Sequence, residues 1–251
     1  YLAGGGVTAH MGDGGFYGGA RAGYKAEGSS NVAIAQDSMY NNAGNNNIAI
    51  GNMSMYGVAS TTDTNHCISL GYQTLYALTT GDYNIGIGRQ AGSAITTATD
   101  NIFMGDNAGA ATTTLGYNIA IGSEALKTAT GVTNSVVIGR QAASASASTG
   151  DQVVFIGNEA GKNWSAQDGH VGIGYQALNA MTGDVYYNTA IGYRALLNST
   201  GNSNVSVGYQ AGMDQTSSSE NTFIGAFCGT NITTGGENIA MGRNAMLYNV
   251  D

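Results

Sequence analysis

The sequence predicts an all-β fold, a parallel β-solenoid of about thirteen coils of ~17 residues each. Three observations predict it. One short motif recurs along nearly the whole chain, apolar residues alternate inside each copy, and none of the 251 residues is proline. Alternation with period two marks a strand rather than a helix. A ladder of strands stacked coil on coil needs every backbone N–H, which proline lacks.

The motif reads Asn, apolar, small, apolar, Gly, x, x, Ala, then Gly or Leu. NIGIGRQAG begins at Asn84, NIFMGDNAG at Asn101, NIAIGSEAL at Asn118, NTAIGYRAL at Asn188 and NVSVGYQAG at Asn204. Two poorer copies, NVAIAQDSM at Asn31 and CISLGYQTL at Cys67, belong to the series. Taking the fifth residue as an anchor gives Ala35, Gly51, Gly71, Gly88, Gly105, Gly122, Gly139, Gly157, Gly174, Gly192, Gly208, Gly225 and Gly242, at steps of 16 to 20 residues. A fixed period of this length is the signature of stacked repeats. The expected organisation is a glycine-rich opening, 1–30, holding a decayed capping coil around Gly19, followed by a β-roll repeat domain over 31–251.

Each copy supplies one strand, and links such as Thr79-Thr80-Gly81-Asp82 and Ser199-Thr200-Gly201-Asn202 supply the turns. A Thr/Ser column eight or nine residues before the anchor, with Thr79, Thr96, Thr113, Thr149, Thr216 and Thr233/Thr234, is expected to mark a second, outer strand. The two apolar residues of each strand point one way and the small residue between them the other. The apolar pair, with the motif Ala, is expected to form a thin core. The small face is left for close approach of a second chain, so copies lying side by side would complete the burial.

Composition narrows the function. Gly is 40 of 251 residues without the period of three that collagen requires, and 42% apolar content argues against disorder. The net charge is −8 and the basic residues are scattered singly, which excludes nucleic acid as an expected partner. No run of 18 apolar residues occurs, so no membrane insertion is expected. The chain opens at Tyr1 without a Met and is expected to be a processed product or a fragment. Catalytic signatures are missing: there is no G-x-S-x-G, H-E-x-x-H or P-loop pattern. Neither enzymatic activity nor a cofactor is expected.

The N-x-A-I-G-x-x-A/S unit resembles the head repeats of trimeric autotransporter adhesins (the YadA-like head). The longer form, GYQAL or GYQAG linked by T-T-G-x-x-N, resembles repeats of phage tail fibres and large bacterial surface proteins. The resemblance spans roughly residues 31–246, with a period of ~17 here against a shorter one in the adhesin heads. It implies a left-handed parallel β-roll, homotrimeric and extracellular, on a virion or bacterial cell surface, serving attachment or as a fibre shaft.

Several residue columns are candidate sites. The position after the anchor holds Tyr72, Arg89, Arg140, Tyr175, Tyr193 and Tyr209. Rows of Tyr and Arg are what recognition surfaces use, so these six are the candidate ligand-binding residues, with a cell-surface glycan or protein receptor as the partner beside a second and third copy of the chain. The plainer reading is that the rings stack on one another along the repeat. The motif Asn, present in nine of thirteen copies, is expected to form a structural amide ladder. Asp82, Asp100, Asp151, Asp168, Glu220 and Glu237 are expected to line one solvated acidic edge. His10, His66 and His170 could each form a ring of three nitrogen donors in a trimer, but satisfied or solvent-facing side chains are expected there rather than a metal site. Cys67 and Cys228 are too far apart in the repeat series to pair. Cys228 is expected to be buried and Cys67 partly reachable. Two alternative functions remain at this level: an ice-binding solenoid, from the Thr column, and a passive structural spacer.

Overall fold

The computed structural model describes residues 14–59, 62–114, 116–145, 150–165, 168–233 and 235–247. His10, Thr149 and Thr234 lie outside the described residues. The chain is an all-β solenoid with fourteen three-residue strands, all parallel, and no helix among the described residues. It divides into two compact units, Tyr1–Glu124 and Ala125–Asp251.

The first unit holds β1 (Phe16–Gly18), β2 (Val32–Ile34), β3 (Ile48–Ile50), β4 (Ile68–Leu70), β5 (Ile85–Ile87), β6 (Ile102–Met104) and β7 (Ile119–Ile121). Each pairs with the next in sequence, motif position against motif position: Ala33 faces Ala49, Ala49 faces Ser69 and Phe103 faces Ala120. The strand β1 comes from the glycine-rich opening and pairs with β2 in the same register. The second unit repeats the scheme with β8 (Val136–Ile138), β9 (Val154–Ile156), β10 (Val171–Ile173), β11 (Thr189–Ile191), β12 (Val205–Val207), β13 (Thr222–Ile224) and β14 (Ile239–Met241).

The anchor ends each strand in a backbone conformation that requires glycine. Gly88 has φ +124° and Gly105 φ +133°, and a Cβ at Gly88 would lie 2.6 Å from the Gly105 carbonyl oxygen of the next coil. Ala35 takes this position once, at φ +100°. Two and four residues after the anchor the chain is left-handed again, as at Gln73 (φ 52°) and Leu75 (φ 48°). Alternating left-handed residues fold the segment after the strand back across the interior.

The structure reverses the expected polarity of the strands. The middle residue of every strand is buried, whereas the apolar pair flanking it is half-buried or exposed, as Ile48 at 37% and Ile50 at 39% show. The reason lies in the closure of the coil. Its interior is filled from the turn side, so the strand contributes only one inward residue, and alternation then places its two neighbours outside.

In most coils the core follows a complementary rule between the middle strand residue and the residue four after the anchor. Gly86 with Gly92 and Ser206 with Gly212 are small at both positions, and side chains of neighbouring coils, Leu75 and Phe103 at Gly92 and Leu196 at Gly212, reach that space. Ala49 stands with Met55, Ser69 with Leu75 and Ala120 with Leu126, all buried. Where the strand residue is Phe, the partner is Gly: a Cβ at Gly161 would meet the Phe155 ring at 2.8 Å, and one at Gly229 the Phe223 ring at 2.6 Å. One large and one small side chain fill the same cross-section, which keeps interior packing dense from coil to coil.

The expected second strand is absent among the described residues. Thr79 N–H donates to the Thr96 carbonyl and Thr96 N–H to that of Thr113, each at 2.8 Å, but apart from one isolated parallel bridge between Asn42 and Thr62 these bonds do not extend into a strand. The neighbouring turn residues leave the extended conformation too soon to continue it.

Candidate functional site

Two surfaces carry chemistry outward: the apolar face of the strands and the columns of aromatic residues. On the strand face, the first and third strand positions form two parallel rows, Ile68, Ile85, Ile102 and Ile119 beside Leu70, Ile87, Met104 and Ile121 in the first unit. The second unit continues the pattern with Val136, Val154 and Val171 beside Ile138, Ile156 and Ile173. An outward apolar face of this kind, present in each unit, marks an interaction surface.

The six sequence-predicted residues are exposed, and the structure brings only some of them together. Tyr175 and Tyr193 stack with centroids 5.1 Å apart, and Tyr193 stacks on Tyr209 at 5.2 Å. Phe227 closes the row edge-on against Tyr209. The Arg194 guanidinium lies 5.9 Å from the Tyr175 ring centre and 5.3 Å from that of Tyr193, a cation–π arrangement. Its Nε donates to Gln176 Oε1 at 2.8 Å, Gln176 Nε2 donates to Glu159 Oε2 at 2.7 Å, and Lys162 Nζ reaches Glu159 Oε1 at 3.2 Å. The Gln176 amide, with Lys162 and Arg140 adding positive charge, holds the Glu159 carboxyl below its ordinary value against the opposing effect of desolvation. Arg140 stands two coils before Tyr175 in the same column. In the first unit, Tyr72 neighbours Arg89, but Arg89 turns the other way, to a two-pronged ion pair with Asp106 at 2.8 Å.

Stacking decides what the tyrosines offer. The faces of Tyr193 are covered by its neighbours, so the row presents ring edges and hydroxyl groups outward rather than platforms for sugar rings. Sequence reasoning missed a second row, Tyr24–Tyr40–Tyr56–Tyr76, with centroid spacings of 4.7, 4.9 and 5.2 Å. The signal was present, since all four stand five residues after an anchor. Arg21 lies over Tyr40 at 5.4 Å while its Nε pairs with the buried Asp37 at 2.7 Å.

The remaining candidate columns are structural. The motif Asn side chains are buried except for half-buried Asn238, and their Oδ1 accepts the backbone N–H at the same position of the next coil, as from Asn118 to Asn101, from Asn204 to Asn188 and from Cys67 to Asn47. The Nδ2 groups donate to turn carbonyls, that of Ala98 for Asn84 and Gly201 for Asn188, whereas Asn238 Nδ2 donates to Asn221 Oδ1. His170 occupies this ladder: its Nδ1 accepts from Asn188 N–H and its Nε2 donates to the Val185 carbonyl, so both ring nitrogens are used. His66 is exposed and stacks on Tyr83 at 5.0 Å.

The acidic residues form two columns, not one edge. Asp82, Asp151 and Asp168 accept the backbone N–H of Asn65, Thr133 and Asp151, whereas Asp100, Glu220 and Glu237 are exposed one residue later, at left-handed positions. Among the described residues no group of three or more His, Cys, Asp or Glu is placed to hold a metal ion. No described helix is long and apolar enough to cross a membrane.

Both cysteines are free and fully buried, which corrects the expected reachability of Cys67. Its Sγ takes the place of the ladder amide and accepts the Asn84 N–H at 3.4 Å, and burial pushes its thiol up to about 12. The threonine hydroxyls donate to the next coil, Thr96 Oγ1 to the Thr113 carbonyl at 3.2 Å and Thr216 Oγ1 to that of Thr233 at 2.9 Å. That commitment weakens an ice-ordering role. Comparison with known proteins yields no match to a family model, a curated protein or a solved structure.

Proposed function

We propose that this chain is a segment of a homotrimeric extracellular fibre that serves attachment, as in a phage tail fibre or a bacterial surface adhesin. The single observation behind it is the outward apolar face. Its two rows repeat at the spacing of the coils, and the surface that matches such a pattern rung for rung is the same face of another copy, parallel and in register. Burying it against water favours association by roughly 25 cal/mol per Å² of apolar area. This replaces the physical reason first read from the sequence: the large apolar residues, not the small ones, supply the contact. The number three comes from the family resemblance.

Sedimentation and light scattering should give a trimer, and Ile85→Lys with Ile102→Lys, on the outward face of the strands, should dissociate it while each chain keeps its β spectrum. A stable folded monomer in the unsubstituted protein would overturn the proposal. Attachment is assigned to the Tyr175–Tyr193–Tyr209 column. Replacing all three by Ser should abolish binding to whole cells or glycan arrays in a trimer that stays folded. Unchanged binding would reduce the column to packing, and no binding by the unsubstituted trimer would favour the passive spacer.

A further inference from the structure

The two stacked tyrosine rows have a chemistry that attachment does not use. Phenols are the side chains most readily joined to one another by one-electron oxidation, provided that two of them meet before either radical is quenched. Tyr40 and Tyr56 are 4.9 Å apart with 10° between their planes, and Tyr193 and Tyr209 are 5.2 Å apart with 9°. The spacing is set by the coils themselves, so each ring of a row has a second phenol stacked beside it. Tyr72 and Tyr117 are exposed but make no ring contact among the described residues, and Tyr83 stacks on His66 rather than on a phenol. The chain therefore contains paired and unpaired tyrosines under one set of conditions.

We propose that the rows Tyr24–Tyr40–Tyr56–Tyr76 and Tyr175–Tyr193–Tyr209 are sites of oxidative modification, where a peroxide acting through a haem peroxidase, or another one-electron oxidant, joins successive coils by dityrosine bonds. Each of two stacked phenols gives up one electron and one proton, and one hydrogen peroxide is reduced to two waters. The two phenoxyl radicals couple through the ring carbons beside their oxygens, forming one carbon–carbon bond. The hydrogen on each of those carbons then moves to its phenoxyl oxygen, which restores both aromatic rings. The net loss is two hydrogen atoms per bond. Positioning converts the coupling from a bimolecular encounter into an intramolecular step. A bond between adjacent coils would bar their separation, giving the fibre covalent staples where it has no disulfide among its cysteines.

The test treats the native protein with hydrogen peroxide and a haem peroxidase, and in parallel with a photoexcited ruthenium complex and persulfate, whose reduction to sulfate takes the same two electrons and whose small size reaches half-buried rings. Peptide mapping should find Tyr40–Tyr56 and Tyr193–Tyr209 pairs, two hydrogens lighter than their separate peptides, in a yield independent of protein concentration. Tyr40→Phe should lose the pairs that involve residue 40 and keep Tyr193–Tyr209, and Tyr193→Phe the reverse. Urea-unfolded chain should lose this pattern. Absence of dityrosine with both oxidants, coupling led by Tyr72 or Tyr117 between molecules, or the same pairs from unfolded chain would each overturn the proposal.

Discussion

Exchanging the large and small partners of one coil tests the packing rule directly. Phe103 is fully buried, and its ring occupies the space in front of Gly109 and reaches Gly92 of the preceding coil. Phe103→Ala alone removes that ring and should cost about 3–5 kcal/mol. Gly109→Leu alone drives a side chain into the ring, and overpacking plus a left-handed backbone should cost about 2–5 kcal/mol. The double variant turns this coil into a copy of the next one, where Ala120 stands with Leu126 at φ 54°. Its loss should be only about 1–2 kcal/mol, covering the unfilled space at Gly92 and the left-handed leucine. The coupling energy is therefore about 3 kcal/mol or more, at the top of the range for residues in contact. Urea unfolding followed by circular dichroism at one fixed protein concentration measures all four corners of the cycle. Costs that add, with coupling below about 0.5 kcal/mol, would refute the rule.

Two further outcomes follow from single positions. Ala35→Gly should stabilise by about 1 kcal/mol by relieving a strained φ of +100°, whereas Gly88→Ala, with its Cβ 2.6 Å from the Gly105 carbonyl oxygen, should cost about 3 kcal/mol or more; equal effects in thermal unfolding would contradict the assigned anchor geometry. Cys67→Asn should restore the amide ladder and add about 1 kcal/mol near neutral pH. The Cys67 thiol is raised in the folded chain from an ordinary value near 9 to about 12. The unfolded chain thus loses its thiol proton first, and the contribution of the neutral thiol is intact below pH 9 and lost as pH rises toward 12. The stability gap in favour of Cys67→Asn should widen over that interval by at most roughly 4 kcal/mol, and parallel pH curves would exclude the buried thiol as its cause.

The repeat, the parallel ladder and the register were legible in the sequence because they depend on strict local features. Alternation sets the strand, the anchor glycine sets its end, and proline would interrupt the ladder. The structural role of the motif Asn was legible for the same reason: a side chain recurring at one position of every coil stacks on itself. The candidate site was legible only in part. Tyr175, Tyr193 and Tyr209 are adjacent in the column and do meet, but Arg89 was captured by Asp106, a partner one coil away whose charge the column reading did not weigh. The row Tyr24–Tyr40–Tyr56–Tyr76 went unseen because the middle of each turn carries no consensus residue.

The direction of the strand faces was the one feature that alternation could not supply, and the proposed function rests on it. Period two says that Ile85 and Ile87 share a side, not which side. The deciding signal sits outside the strand, in the partnership of Phe103, Phe155 and Phe223 with Gly109, Gly161 and Gly229 and of Ala49 and Ala120 with Met55 and Leu126. A position whose size is compensated inside its own coil must face the interior, because only shared volume imposes that bargain. The apolar pair shows no such compensation: from β2 onward Ile, Val, Leu or Met stands there whatever occupies the other positions, with Thr189 and Thr222 as the two departures. Residues kept apolar without an internal partner, and found outside, are suited to an external one, which is why the proposed contact between parallel copies is placed on this face.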